Sequence, residues 1–300
     1  MTTVFEVLYE LGVELQSNSD LKSLTCHHNP HRDEVEATLR RLILQIGRPG
    51  ENVTSSWGRV RIFCRNYVNR SQAAATALEV TNLLGTVESS CIDENDRIRL
   101  LPSLARSILE GRRADEMVEA LIRVTSPEPN LALGNRSFLQ WVEDRWLRWV
   151  NASPFELDED ELLSDLRSIC DRNYFKIKGV GLPLAANFLA DLGLHAFGKP
   201  DLHVKPLMNM LTLQEGEEAA FRALVKIARI EAVALSHNRR FGWLEEAGGL
   251  MPRHLDRVIY LIGSDKFGVN GRAQKRKAPD RRVLMIKALV SAGMLNARYA

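Results

Sequence analysis

Apolar residues recur along this chain at three- and four-residue intervals, and that period constrains the fold more than any other feature. Between residues 33 and 46, Val35, Leu39, Leu42, Ile43 and Ile46 all fall on one face of a helix. Runs of β-branched residues are few and no strand or β-hairpin signal stands out, so the expected fold class is all-α. The period predicts helices over 4–15, 33–46, 56–68, 71–84, 93–109, 112–124, 136–151, 158–170, 172–178 and 182–192, and another over 251–262. With 45% apolar residues, 300 residues can bury a large core as one big domain or as two lobes. No run of about eighteen apolar residues occurs, and acidic residues within the N-terminal amphipathic pattern do not fit a signal peptide. The expectation is a cytoplasmic protein with no membrane attachment.

Cys26, Cys64, Cys91 and Cys170 lie far apart with no matching spacing, which argues against a disulfide frame or a zinc ribbon. The segment Cys26-His-His-Asn-Pro-His31 reads either as a metal box or as a loop with incidental histidines. Its imidazoles crowd one short loop and no second ligand cluster accompanies them, so the loop reading is preferred. Trp141, Trp146 and Trp149 share a helical stripe with Val142 and Val150 and read as core packing. The acidic run 158–161 resembles paired catalytic carboxylates, but it opens a helix, where negative charge complements the amide dipole.

The most specific segment is 174–206. It begins Tyr174-Phe-Lys-Ile-Lys-Gly-Val-Gly-Leu-Pro and ends Gly198-Lys-Pro-Asp-Leu-His-Val-Lys-Pro206. Two short helices are expected to meet at Gly179-Val180-Gly181, where glycine lets the backbone turn sharply and approach a partner with no Cβ in the way. Pro183 suits the first helical turn, which has no use for its missing N–H. The amides left open at the start of the helix carrying Ala185, Leu189 and Leu192 make a seat for a phosphate. Lys176 and Lys178 add charge on the same side.

This segment resembles the helix-hairpin-helix DNA glycosylase superfamily, of the endonuclease III-like fold. The signature is Gly-hydrophobic-Gly, an Ala four residues on, and later an Asp followed by X-His-Val. Here these are Gly179-Val180-Gly181, Ala185 and Asp201-Leu202-His203-Val204. The match covers some thirty of the 300 residues. It implies a two-lobe helical fold in which residues 91–198 form a six-helix lobe ending in the hairpin. Residues 1–90 and 199–300 then form a second helical lobe built from both termini. It further implies that the hairpin holds the DNA backbone while Asp201, the catalytic residue, works at the deoxyribose carbon of a nucleotide flipped between the lobes. The DNA-binding residues are then Lys176, Lys178, Gly179, Val180, Gly181 and Lys205. Thr125 and Ser126, just after the second helix of the lobe, and His203 become candidates for the base pocket. A helix end stopped by Pro127 explains Thr125 and Ser126 equally well, and Asp201 also stands where it would cap a helix starting near His203.

Members that also cut the strand carry a nucleophilic Lys two residues past the second Gly, where this chain has Pro183. A second group places its Lys before the hairpin, where Arg172 and Asn173 stand. Since the nucleophile must be an unprotonated primary amine, the resemblance implies a monofunctional enzyme that leaves the strand intact. Some relatives close an iron–sulfur cluster with four clustered cysteines. No Cys follows Cys170 here, so neither that cluster nor any other cofactor or metal is expected. Leu202 stands where the family usually has Thr.

A net charge of +2 hides an asymmetry: from Ser236 onward basic residues outnumber acidic ones more than two to one. Lys266 to Arg282 holds Arg272, Lys275, Arg276, Lys277, Arg281 and Arg282 with only Asp280 opposing, which suits phosphates, although a solvated charged face explains the same residues. The expected partner is double-stranded DNA, with no obligate protein partner. The expected activity is excision of a damaged or modified base, in repair or in defence against phage DNA with modified pyrimidines. The alternative is a non-enzymatic helix-hairpin-helix DNA-binding protein that uses Asp201 only as a cap.

Overall fold

The structure, a computed structural model, describes residues 2–23, 32–45, 51–70, 77–109, 114–264 and 280–294. Among them the fold is all-α, with no strand and only an isolated bridge between Asn130 and Arg136. In chain order the helices are α1 (Val4–Ser23), α2 (Arg32–Leu44), α3 (Ser56–Arg70), α4 (Ala77–Ser90), α5 (Glu94–Ile108), α6 (Ala114–Thr125), α7 (Phe138–Trp149) and α8 (Glu159–Cys170). They continue as α9 (Leu182–Asp191), α10 (Val204–Thr212), α11 (Glu217–Ser236), α12 (Gly242–Glu246), α13 (Pro252–Gly263) and α14 (Arg281–Ser291). No described helix is long and apolar enough to cross a membrane.

The chain divides into two compact units. Residues 1–45, 152–160 and 198–300 make the first, and 46–151 with 161–197 the second. Residues 46–90, which the sequence grouped with the N-terminal segment, thus cluster with 91–151.

In the first unit the apolar face of α1, with Val4, Phe5, Leu8, Tyr9 and Val13, packs with that of α13, where Leu255, Val258, Ile259 and Ile262 are buried. Burial of each such large side chain contributes about 1.5–3 kcal/mol. The ring of Phe241 meets Phe5 and Tyr9 edge to face at centroid distances of 5.7 and 5.3 Å. The start of α1 is closed twice. Thr3 and Glu6 form a capping box, and the buried Glu231 accepts from the amides of Val4 at 2.6 Å and Phe5 at 3.0 Å. In the second unit Phe63 and Phe138 sit edge to face, and Phe188 packs against both rings. Trp141 and Trp149 are buried in the same unit, as their stripe predicts, whereas Trp146 of that stripe is only half-buried.

One expected element is absent. Residues 172–178 form turns, not a short helix, because their polar groups find partners that a helix would deny them. The Asp171 carboxylate accepts from the Asn173 amide at 2.9 Å, and the Ile177 amide reaches back to the Ile169 carbonyl at 3.1 Å. The chain therefore runs from α8 through turns directly into α9. The acidic run behaves as its position predicts: Asp158 accepts from the Asp160 amide, Asp160 pairs with Arg222 and Glu159 with Arg229.

Candidate functional site

In the second unit the turn before α9 is built from both sides. Gly179 has φ +78°, the left-handed region, and a Cβ there would lie 2.6 Å from the Tyr67 hydroxyl, so the sequence needs glycine at this point. That hydroxyl donates to the Lys178 carbonyl at 3.0 Å. Arg123 donates to the Lys176 carbonyl at 2.5 Å and lies over the Phe175 ring. The Val180 amide is taken by the Ile177 carbonyl at 3.1 Å and the Val180 side chain is buried, so Val180 anchors the turn from within. Gly181 occupies the cap position of α9 with φ −109°, and no side chain closes that helix end. Pro183 falls in the first turn and the small Ala185 is fully buried. An open helix N-terminus beside a tight turn is a general anion seat.

The two lysines before the turn have partners that the sequence did not reveal. The Lys176 ammonium donates to the carbonyls of Cys170 and Val180, each at 2.6 Å, so it ties the loop together internally instead of adding free charge. Lys178 is exposed and pairs with Glu119 at 3.1 Å, a contact that pushes its pKa up. Thr125 and Ser126 serve the end of α6. The Thr125 hydroxyl donates to the Leu121 carbonyl at 2.8 Å, and Ser126 accepts from the Glu128 amide at 3.2 Å.

In the first unit Gly198 lets the chain pass close to the start of α13, where a Cβ would meet the Pro252 carbonyl oxygen at 2.8 Å. The chain then turns tightly, with the Asp201 amide donating to the Lys199 carbonyl at 2.9 Å. Asp201 Oδ1 accepts from the amides of His203 at 2.9 Å and Val204 at 3.2 Å, and its own carbonyl takes the Lys205 amide at 2.8 Å. Asp201 therefore caps α10, and Pro206 lies within the first turn of that helix, where no N–H is required. Asp201 Oδ2 faces the Lys199 ammonium at 3.6 Å, with the carboxylate side chain 9% exposed and the lysine 32%. The His203 ring meets Tyr260 edge to face, packed against Gly263.

Behind this turn lies a second carboxylate. Asp256, buried on α13, accepts through Oδ2 from the Lys199 amide at 3.0 Å and from Arg253 at 2.8 Å. Burial pushes its pKa up, Arg253 pulls it down and the charge on Asp201 raises it further. The sequence held a signal for it: Pro252, Leu255, Asp256 and Ile259 follow helical spacing on one buried stripe, so Asp256 is a charge on a core face. Lys275, Arg276 and Lys277, like the Cys26–His31 segment, lie outside the described residues. No family model, curated protein or solved structure matches the chain.

Proposed function

We propose that this protein is a monofunctional DNA glycosylase of the helix-hairpin-helix type. It extrudes a damaged or modified nucleotide from the duplex, because the target atom is unreachable inside the stack, and hydrolyses the N-glycosidic bond. As the base leaves, its sugar takes on oxocarbenium character, by analogy with glycoside hydrolysis. An ionised Asp201 stabilises that cation and orients or deprotonates the attacking water. The products are a free base and an abasic site in an unbroken strand. The open end of α9 and the Gly179-Val180-Gly181 turn hold a backbone phosphate, with Lys178, Lys205 and the basic segment around Lys275, Arg276 and Lys277 adding sequence-independent attraction.

The observation that carries this reading is the Asp201 carboxylate itself. Its Oδ2 takes no part in the cap of α10 and faces a lysine ammonium, within the Asp-x-His-Val sequence that follows the left-handed turn at Gly179. The test is to incubate the protein with a panel of duplexes carrying oxidised, alkylated or mismatched bases and with phage DNAs bearing bulky modified pyrimidines, then to reveal abasic sites with alkali. Alkali-dependent breaks at one class of base are expected; their absence across the panel, with DNA binding intact, favours the second reading. That reading is a non-enzymatic DNA-binding protein, and the two amides on Asp201 Oδ1 favour it, since capping accounts for them.

A further inference from the structure

Asp256 stands out once the turn at Asp201 is described. A charged side chain taken out of water loses far more than it regains from packing unless its lone pairs are met, and an apolar residue is the stable choice on a buried helix stripe. This carboxylate is met by two donors of different kinds: a guanidinium one turn back on its own helix, and the backbone amide of Lys199 fifty-seven residues away in sequence. The amide contact is the informative one. It fastens the turn residue whose carbonyl takes the Asp201 amide. Asp201 is thus held downstream by the amides of α10, through Oδ1, and upstream by α13, through Asp256 and Lys199. The two carboxylates also lie close enough for the charge on Asp201 to raise the Asp256 pKa, and Lys199 and Arg253 are the cations that face the pair.

We propose that Asp256, oriented by Arg253, is the positioning residue for Asp201: it clamps the Lys199 amide and so aims the Asp201 carboxylate. The inference rests on the glycosylase reading for its catalytic consequence, though not for the clamp. Asp256 never touches DNA in this account. Its contribution is orientation, where a displacement of about 1 Å can reduce a rate by roughly a hundredfold.

The test compares Asp256→Ala, which removes the acceptor, with Asp256→Asn, which keeps a side-chain oxygen for the Lys199 amide but not the charge, and with Arg253→Met. Two quantities are read in the full-length protein below its melting temperature. One is single-turnover base excision against DNA affinity on the duplex that the wild type processes, and the other is amide hydrogen exchange over residues 199–204. Asp256→Ala should lower the excision rate at least about tenfold with affinity nearly unchanged, and should speed exchange at Lys199, His203 and Val204. Asp256→Asn should restore exchange protection and most of the rate, while Arg253→Met should fall between the two. Wild-type exchange at Lys199 in Asp256→Ala, or an Asn variant as impaired as the Ala variant, overturns the proposal. If the wild type removes no base from any duplex, the glycosylase reading fails, and the exchange data alone decide whether Asp256 is the clamp. If the Ala variant does not fold, the Asn and Met variants give the decision.

Discussion

The hydroxyl of Tyr67, on α3, donates to the carbonyl oxygen of Lys178 at 3.0 Å, immediately before a glycine held at φ +78°. A methyl group at Gly179 would collide with that hydroxyl and would occupy a backbone region that costs an L-residue about 1–2 kcal/mol. Gly179→Ala should therefore destabilise the protein by about 2 kcal/mol in urea unfolding, the lost hydrogen bond included. Gly181→Ala, at φ −109°, should cost under about 1 kcal/mol, since that backbone is open to any residue. Equal effects of the two substitutions would contradict the assigned turn.

Lys176 and Lys178 make contrasting predictions. Because the Lys176 ammonium is tied to two carbonyls, Lys176→Met should lower stability by about 1.5–3 kcal/mol, the scale of hydrogen bonds to charged groups. It should leave the salt dependence of DNA binding unchanged. Lys178→Gln should do the reverse, with little effect on stability and a flattening of the log–log salt slope by up to about 0.9 on duplex DNA. Titrating each variant with duplex at several salt concentrations checks both.

Asp165 carries a pH signature. It is buried on α8, where its carboxylate takes the Trp149 indole N–H at 2.8 Å and pairs with Arg145 at 3.1 Å. Burial outweighs both contacts and raises its pKa above the ordinary aspartate value. The folded state then holds the proton more tightly than the unfolded chain does. The corresponding stability is fully present below the unfolded value and is lost as pH rises through the raised folded one. Asp165→Asn removes that dependence, so the variant should gain on the wild type as pH rises from about 4 towards neutrality. Melting temperatures of the two proteins that differ by a constant amount over that range would contradict the shift.

What the sequence revealed and what it hid divide by range. The start of α9 was legible because its signal is local: Gly181 with Pro183 opens it. The turns at 172–178 are hidden in the sequence, because neither the local contacts of Asp171 with Asn173 and of Ile169 with Ile177 nor those of Tyr67 and Arg123, 111 and 53 residues away, leave a mark on apolar periodicity. Lys176 looked like free charge for the same reason, since its carbonyl partners exist only once the loop has closed. At the other segment the cap of α10 was legible, because Asp201 stands just before His203 and Val204, from whose amides it accepts. Asp256 is hidden there, because an acidic residue inside an amphipathic helix reads as part of the polar face unless its register is set against Leu255 and Ile259.

Strand cleavage gives a further prediction. Pro183 offers no amine and the Lys176 ammonium is bound to carbonyls, so under the proposed monofunctional activity borohydride should trap no covalent adduct between the wild-type protein and a duplex carrying a preformed abasic site. An adduct lost in Lys199→Ala would instead identify Lys199, whose ammonium lies 3.6 Å from Asp201 Oδ2, as an imine-forming amine and would contradict the monofunctional proposal.

In the proposed reaction Asp201 acts through its charge and not only as the cap of α10. Asp201→Asn separates the two roles, because the amide oxygen still accepts from His203 and Val204 while nothing remains to stabilise a developing sugar cation. The deciding measurement is single-turnover base excision by Asp201→Asn and wild type on the same duplex, with affinity measured alongside. The variant's rate should be at least about a hundredfold lower, with affinity within about twofold and an unchanged melting temperature. A variant that binds DNA and keeps most of the wild-type rate would show that Asp201 is a cap alone.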